Sequence, residues 1–299
     1  MGWNPVISPA HERLNVTRLR LSILGAGRAA RVVARWLVES KSAEISQVAN
    51  SSLESAQAAT AFIGAGLAVK RIRDLDESDC LLVGLPDQRL GEVGSDLVEG
   101  RAGLAFHLSG SLDSSALAGW AHNVASLHPA RAFAQPDRAL QQMAGTWVTA
   151  EGDCEALQRL KPLFIAAGAQ WQTVDRARKP LYHAATVVAS NYLVTLTALA
   201  RDLALAAGIE ESHARDLLAG LQSGTLANLD RTDAAQALTG PIERADLDQI
   251  RSLQQAMLEA CPERSLLLSE LGLATLELAR RARGERPADE QIEALFTRP

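Results

Sequence analysis

Leu19-Arg20-Leu21-Ser22-Ile23-Leu24-Gly25-Ala26-Gly27-Arg28-Ala29-Ala30 decides the fold. The first six residues form an apolar run that reads as a strand ending at Gly25. From Arg28 to Glu39, Val32, Val33, Trp36 and Leu37 recur at helical spacing. The junction reads G-x-G-x-x-A, an accepted form of the dinucleotide fingerprint. Gly25 would make the tight turn, and Gly27 would let the backbone approach a pyrophosphate. Ala30 is small enough for helix and strand to pack closely. With Ala26, Arg28 and Ala29, these residues would present the free N–H groups and positive end of a helix to the anion. A plain tight turn is the alternative reading. The strand–turn–helix context favours the dinucleotide.

The second strand bears on which dinucleotide. An NAD enzyme usually carries an acid about 20 residues on, bonded to the ribose 2′-hydroxyl. Here the strand end reads Val48-Ala49-Asn50-Ser51-Ser52, with no carboxylate to repel a 2′-phosphate. Arg28 could supply a positive charge, or be an ordinary surface arginine. NADP is favoured over NAD.

Outward from there, short apolar runs alternate with helical ones. Expected strands are 19–24, 45–49, 80–85, 104–108 and 124–127, with short ones at 147–149 and 171–174. Helices are expected at 28–39, 53–63 and 87–98, and one after Asp153 as N-cap, closed by Gly168. Apolar strands without strict alternation suggest a sheet covered on both faces. The order predicts a doubly wound, mostly parallel α/β sheet. From Pro180 onward only helical patterns appear, at 180–207, 210–222, 243–260 and 263–283. Two domains follow: a dinucleotide-binding domain over 18–178 and a helical domain over 179–299 for substrate and dimerisation. Residues 1–17 read as a flexible lead-in with no apolar run for a signal peptide.

Composition fits this picture. The chain has 299 residues, 47% hydrophobic and 22% charged, which excludes a disordered chain. Its net charge of −5 argues against a nucleic-acid partner. Cys80, Cys154 and Cys261 have no paired spacing, so no disulfide framework or zinc site is expected, and the cytoplasm is the default. Pro180 to Ala200 carries no charged side chain and is long enough to cross a bilayer. Its His183, Ser190, Asn191 and threonines favour a helix buried in a helical domain instead. The leucine-rich stretch after Leu266 likewise predicts a core or subunit interface.

Ligands of such sheets bind beyond the carboxyl ends of the strands. Leu85-Pro86-Asp87, Leu108-Ser109-Gly110 and Leu127-His128-Pro129 stand at three of them, so Leu85, Pro86, Ser109 and Gly110 are candidates for the cofactor. His128 is a candidate catalytic residue, or a strand-end histidine in the core. Pro180 fits the first helical position, making Lys179 the N-cap. Lys179, His183, Ser190 and Asn191 would then lie along one polar stripe. That stripe is either a set of satisfied buried groups or the wall of a site, with Lys179 as proton donor.

Several pieces together resemble a family. They are Gly25–Ala30, Leu108-Ser109-Gly110, Ser126-Leu127-His128-Pro129, Tyr182-His183-Ala184-Ala185, Ala189-Ser190-Asn191-Tyr192 and Ala237-Leu238-Thr239-Gly240-Pro241-Ile242. From about residue 18 the chain is similar to bacterial Rossmann-like proteins with a helical C-terminal domain of unknown function. These are relatives of pyrroline-5-carboxylate reductase, ketopantoate reductase and 6-phosphogluconate dehydrogenase. The resemblance implies an NADP-linked reductase and a homodimer built on the helical domain. It also implies a small carbonyl or imine substrate, such as the 2-keto acid ketopantoate. Lys179 matches the superfamily's catalytic lysine, but His183 stands where an asparagine is usual. Arg244-Ala245-Asp246 replaces the family's Arg-Gly-Asp, and Arg244 would either meet a substrate carboxylate or form a surface pair. A dinucleotide-binding sensor or scaffold without turnover is the alternative.

Overall fold

In a computed structural model the structure describes residues 18–90 and 102–297. The expected lead-in over 1–17, and the expected helix beyond Leu90, lie outside the described residues. The chain divides into two compact units, one up to Ser190 and one from Asn191.

The first unit runs β1 (Leu19–Leu24), α1 (Arg28–Glu39), β2 (Ala43–Ala49), α2 (Leu53–Ile63), β3 (Leu67–Val69), β4 (Ser78–Val83) and α3 (Asp87–Leu90). It continues with β5 (Ala102–His107), β6 (Asn123–Pro129), α4 (Pro136–Gln141), β7 (Trp147–Gly152), α5 (Cys154–Ala166), β8 (Gln170–Thr173) and α6 (Lys179–Val187). The eight strands form one sheet in the order β3-β2-β1-β4-β5-β6-β7-β8. The order reverses between β1 and β4, the switch point at which such sheets bind ligands. Every pairing is parallel except β6 with β7. Alternate residues feed two cores, as the strand period requires. Leu21, Ile23, Leu82, Leu104 and Phe106 pack with α1, α2 and α5, whereas Leu24, Leu81, Val83 and Ala105 pack on the other face with Leu117 and Trp120.

The second unit holds α7 (Leu193–Ala206), α8 (Glu211–Leu229), α9 (Ala234–Ala237), α10 (Pro241–Arg244), α11 (Leu247–Ala260), α12 (Ser265–Arg283) and α13 (Asp289–Thr297). Ile250, Leu276, Ile292 and Phe296 make its core. Phe296 sits over Gly272, where a Cβ would come within 2.4 Å of the ring. Arg283 donates to Asp289 at 2.7 Å and to the carbonyls of Ile242 and Glu243, tying α10, α12 and α13 together.

Several expectations need correction. The first compact unit runs on to Ser190, past the expected domain boundary at 178/179, and the buried Lys179 at the start of α6 belongs to it. Lys179 is the first residue of α6, and Arg178 is its N-cap. The expected helix over 180–207 is interrupted by a π-helical turn at Val188–Tyr192. It is not buried either: the run Arg176–Ala206 is long and apolar enough to cross a membrane, and its most apolar window is fully outside the protein core. On α12 only Gly272, Leu276 and Ala279 are buried and Leu266 is exposed, so of the two readings of that stretch the core one does not hold for Leu266. Asp153 is the N-cap of α5 as expected, though its carboxylate accepts from the Val124 amide at 2.7 Å and makes no bond to the helix.

Candidate active site

The glycine turn is stitched to both neighbouring strands. The Gly25 amide donates to Ala49 O and the Gly84 amide to Leu24 O, each at 2.8 Å. Gly25 has φ +80°, a left-handed conformation that costs a glycine nothing. A Cβ on Gly84 would stand 2.1 Å from Gly25 O and 2.4 Å from the Ala30 methyl group. Ala30 must therefore be small because Gly84 lies beneath it. Gly27 starts α1 with no side-chain cap and no acid in the first turn. The amides of Arg28 and Ala29 are thus left to a ligand, and Arg28 and Gly27 are exposed. Ala26 is buried under the turn, and Leu85 covers Gly25. These residues fit a diphosphate. At the end of β2, Ser51 is exposed and Asn50 half-buried, while Ser52 makes a reciprocal cap with Ser55 that starts α2. The next acid is Glu54, in the first turn of α2.

The ends of β4 and β5 are bracketed by one carboxylate. Asp87 accepts from Ser109 Oγ at 2.9 Å and from Ser111 Oγ at 2.5 Å, while Pro86 beside it is exposed. The Ser109 hydroxyl also accepts from the Ser111 and Leu112 amides, so it shapes the loop around Gly110. Beneath lies the fully buried His107. It accepts the Ser109 amide at Nδ1, which leaves Nε2–H to donate to Asp113 O at 3.0 Å. Burial pushes its pKa below the ordinary range, so this neutral tautomer persists.

Lys179 lies in a buried cage. Its side chain is 2% exposed, its Nζ donates to Ser126 Oγ, and Glu151 Oε1 stands 3.6 Å away. Glu151 is 3% exposed and accepts from the Ser114 amide at 2.7 Å and hydroxyl at 2.8 Å. Arg176 closes the cage at 3.5 Å from Glu151 and donates to Ser114 Oγ. Burial pulls the Lys179 pKa down and Glu151 pulls it back up. A charged ammonium buried beside a carboxylate and a hydroxyl is satisfied where it stands.

Two residues along the same pair of strands is a half-buried imidazole. His128 pairs with Thr149 across β6 and β7, as Ser126 pairs with Glu151. His128 Nδ1 lies 2.8 Å from the Tyr182 hydroxyl, and its ring meets the Tyr182 and His183 rings edge-on. Burial first, then Lys179 and His183, push its pKa down to about 4. Both imidazoles crowd Gly110. A Cβ there would lie 2.6 Å from His183 Nδ1 and 3.0 Å from His128 Nε2. Among the described residues Nε2 of His128 has no hydrogen-bond partner and remains for a ligand.

The structure thus gathers His128, Lys179, His183, Ser109 and Gly110 at one edge of the sheet unit. It does not extend the expected stripe to Ser190 and Asn191, since the π-helical turn at Val188–Tyr192 breaks the 3.6-residue phase; both residues are exposed. Arg244 lies in the second unit, where it donates to Gln249 at 3.2 Å. Sequence reasoning missed Thr149 and Glu151, and quoted Asp87 and Tyr182 without giving either a role. An acid and a hydroxyl alternating on a strand, Thr149 and Glu151, were the available signal. Among the described residues no cluster of His, Cys, Asp or Glu could hold a metal.

Residues 146–275 match the model of the domain of unknown function DUF2520, a span that includes Thr149, Glu151, Lys179, Tyr182 and His183. No curated protein matches the sequence. Among solved structures, protein TM1727 of Thermotoga maritima is 22% identical over 88% of this chain and 99% of its own, with a TM-score of 0.71. BF3122 of Bacteroides fragilis, a candidate NADP oxidoreductase, is 21% identical over 90% of this chain and 99% of its own, with a TM-score of 0.69. The 1-pyrroline-5-carboxylate reductase of Streptococcus pyogenes is 13% identical over 93% and 99%, with a TM-score of 0.58. At these identities the likeness is one of fold. The chain therefore has the Rossmann sheet and following helical region that pyrroline-5-carboxylate reductase also has, and it carries the DUF2520 sequence signature within them.

Proposed function

We propose that this chain is an NADP-dependent reductase of a small carbonyl or imine compound. The observation that carries the reading is the uncapped start of α1 behind Gly25 and Gly84, at the point where the strand order reverses. Gly25, Ala26, Gly27, Arg28 and Ala29 would hold the diphosphate. Asn50, Ser51 and Arg28 would face a 2′-phosphate, since the strand end itself lacks a carboxylate. When bound, the dinucleotide supplies a hydride. Ser109 and Gly110 shape the edge between that site and His128. His128 is neutral and offers Nε2 to the oxygen or nitrogen of the substrate. Burial keeps the imidazole neutral, and Lys179 adds to this from below as a buried positive charge. His183 walls the other side of Gly110. Solved relatives in fold include a pyrroline carboxylate reductase and imine reductases, which supports a C=N substrate; a 2-keto acid such as ketopantoate rests on the family resemblance alone.

The test is NADPH binding by fluorescence, followed by NADPH oxidation with a panel of small 2-keto acids and cyclic imines. We expect binding, stronger for NADPH than NADH, and turnover lost in His128→Ala with binding retained. Absence of dinucleotide binding would overturn the proposal. Binding without oxidation by any compound would favour a nucleotide sensor.

A further inference from the structure

We propose that Tyr182, backed by Thr149, is a positioning residue that fixes His128 as a hydrogen-bond donor at Nε2, so that the site selects a ligand atom bearing a lone pair. The inference rests on the reading of His128 as the substrate-facing residue and adds what that residue can recognise.

The geometry follows from two matched repeats. On the antiparallel pair β6 and β7, Ser126 faces Glu151 and His128 faces Thr149, two residues further along. On α6, Lys179 and Tyr182 are three residues apart, close to one turn. Lys179 is fixed over the first pair through Ser126 and Glu151. Tyr182 thereby falls over the second pair, with its hydroxyl 2.8 Å from His128 Nδ1 and the Thr149 side chain nearby.

A phenol has one proton to give. Burial keeps the phenol protonated, and the nearby Thr149 hydroxyl can donate to the phenol oxygen. The phenol proton therefore points at Nδ1, which must accept. The imidazole is neutral, with a pKa of about 4, so its single proton sits on Nε2. Besides Tyr182, the charged and titratable groups around it are Lys179 and His183 on α6 and Asp87 at the end of β4, and none of these three is bonded to either ring nitrogen. Nε2–H then faces the space beside Gly110 without an acceptor among the described residues. A carbonyl oxygen or a neutral imine nitrogen can accept from it. A protonated iminium nitrogen, which has no lone pair, cannot.

The experiment is nitrogen-15 NMR of the ring nitrogens in the full chain without dinucleotide, so its outcome does not depend on turnover. His128→Gln identifies the His128 signals among the 6 histidines. We expect a single neutral tautomer with the proton on Nε2 in the wild type. Tyr182→Phe keeps the ring and removes only the hydroxyl, and should shift the tautomer ratio by roughly tenfold, the scale of one hydrogen bond. Thr149→Val should shift it in the same direction by less. A wild-type signal with the proton on Nδ1 would overturn the proposal, as would an unchanged ratio in a folded Tyr182→Phe. If the tautomer is as expected and no substrate is ever turned over, the reductase reading fails while the positioning role stands.

Discussion

Gly110 has no side chain because two imidazoles occupy the space one would need. With contacts of 2.6 and 3.0 Å to His183 and His128, Gly110→Ala must displace at least one ring. It should cost about 1–3 kcal/mol of stability and lower turnover at least tenfold while leaving dinucleotide affinity unchanged; steady-state kinetics beside a binding titration check this. His128 also makes stability depend on pH. Its folded pKa is about 4 against an ordinary 6.5. Between those values the unfolded chain carries a proton that the folded chain lacks, so stability rises with pH across the window. The contribution is complete above 6.5 and is lost as pH falls towards 4. Thermal melts of His128→Gln between pH 4 and 7 should show a shallower dependence than the wild type. Gly25, Gly27 and His128 were legible as single residues because each has a recognisable place in a motif or at a strand end. Tyr182 was not, because its partner lies 54 residues away and only the pairing of β6 with β7 brings them together.

Among the elements, α1 shows how two glycines that look alike differ in burden. A Cβ on Gly84 would strike the Gly25 backbone at 2.1 Å, whereas one on Gly27 would meet Gly84 O at an ordinary 3.6 Å. Gly84→Ala should therefore destabilise by about 3 kcal/mol or more, and Gly27→Ala should leave the melting temperature unchanged but weaken NADPH binding. Denaturant titration and fluorescence binding separate the two. At the end of α10, Ala245 has φ +59°, a strained value for a residue with a Cβ. Relief of ~1–2 kcal/mol of strain, less ~0.4–1 kcal/mol of added chain entropy, makes Ala245→Gly stabilising by about 0.5 kcal/mol in the same titration. The principal strands of the sheet were readable from continuous apolar runs. The three-residue β3 was too short to stand out, and the π-helical turn after α6 left no trace in hydrophobic spacing. The buried cage was legible only by half: Lys179 was marked by its place before Pro180, but Glu151 becomes its partner through the antiparallel pairing that the alternating pattern did not foretell.

For the whole molecule, the second unit leaves much apolar surface uncovered. Val194 on α7, Leu217 and Leu221 on α8 and Leu266 on α12 are exposed, Leu266 by 79%. Exposed apolar area on this scale marks an association surface. We propose a homodimer formed through the helical unit, as the sequence led us to expect. Sedimentation in detergent-free buffer should give twice the monomer mass, and Leu221→Glu should shift the chain to monomer. A monomeric wild type would refute it.

The one-turn match between α6 and the β6–β7 pair has a genetic corollary. Exchanging a side chain at Leu181 alters one exposed leucine, but adding a single residue there would swing Tyr182 by about 100° around the helix axis. Lys179 would stay moored, while the phenol faced elsewhere. Reading-frame-preserving insertions in this turn should thus be far less tolerated than any replacement within it, so that here length, more than lettering, is what mutation must leave alone.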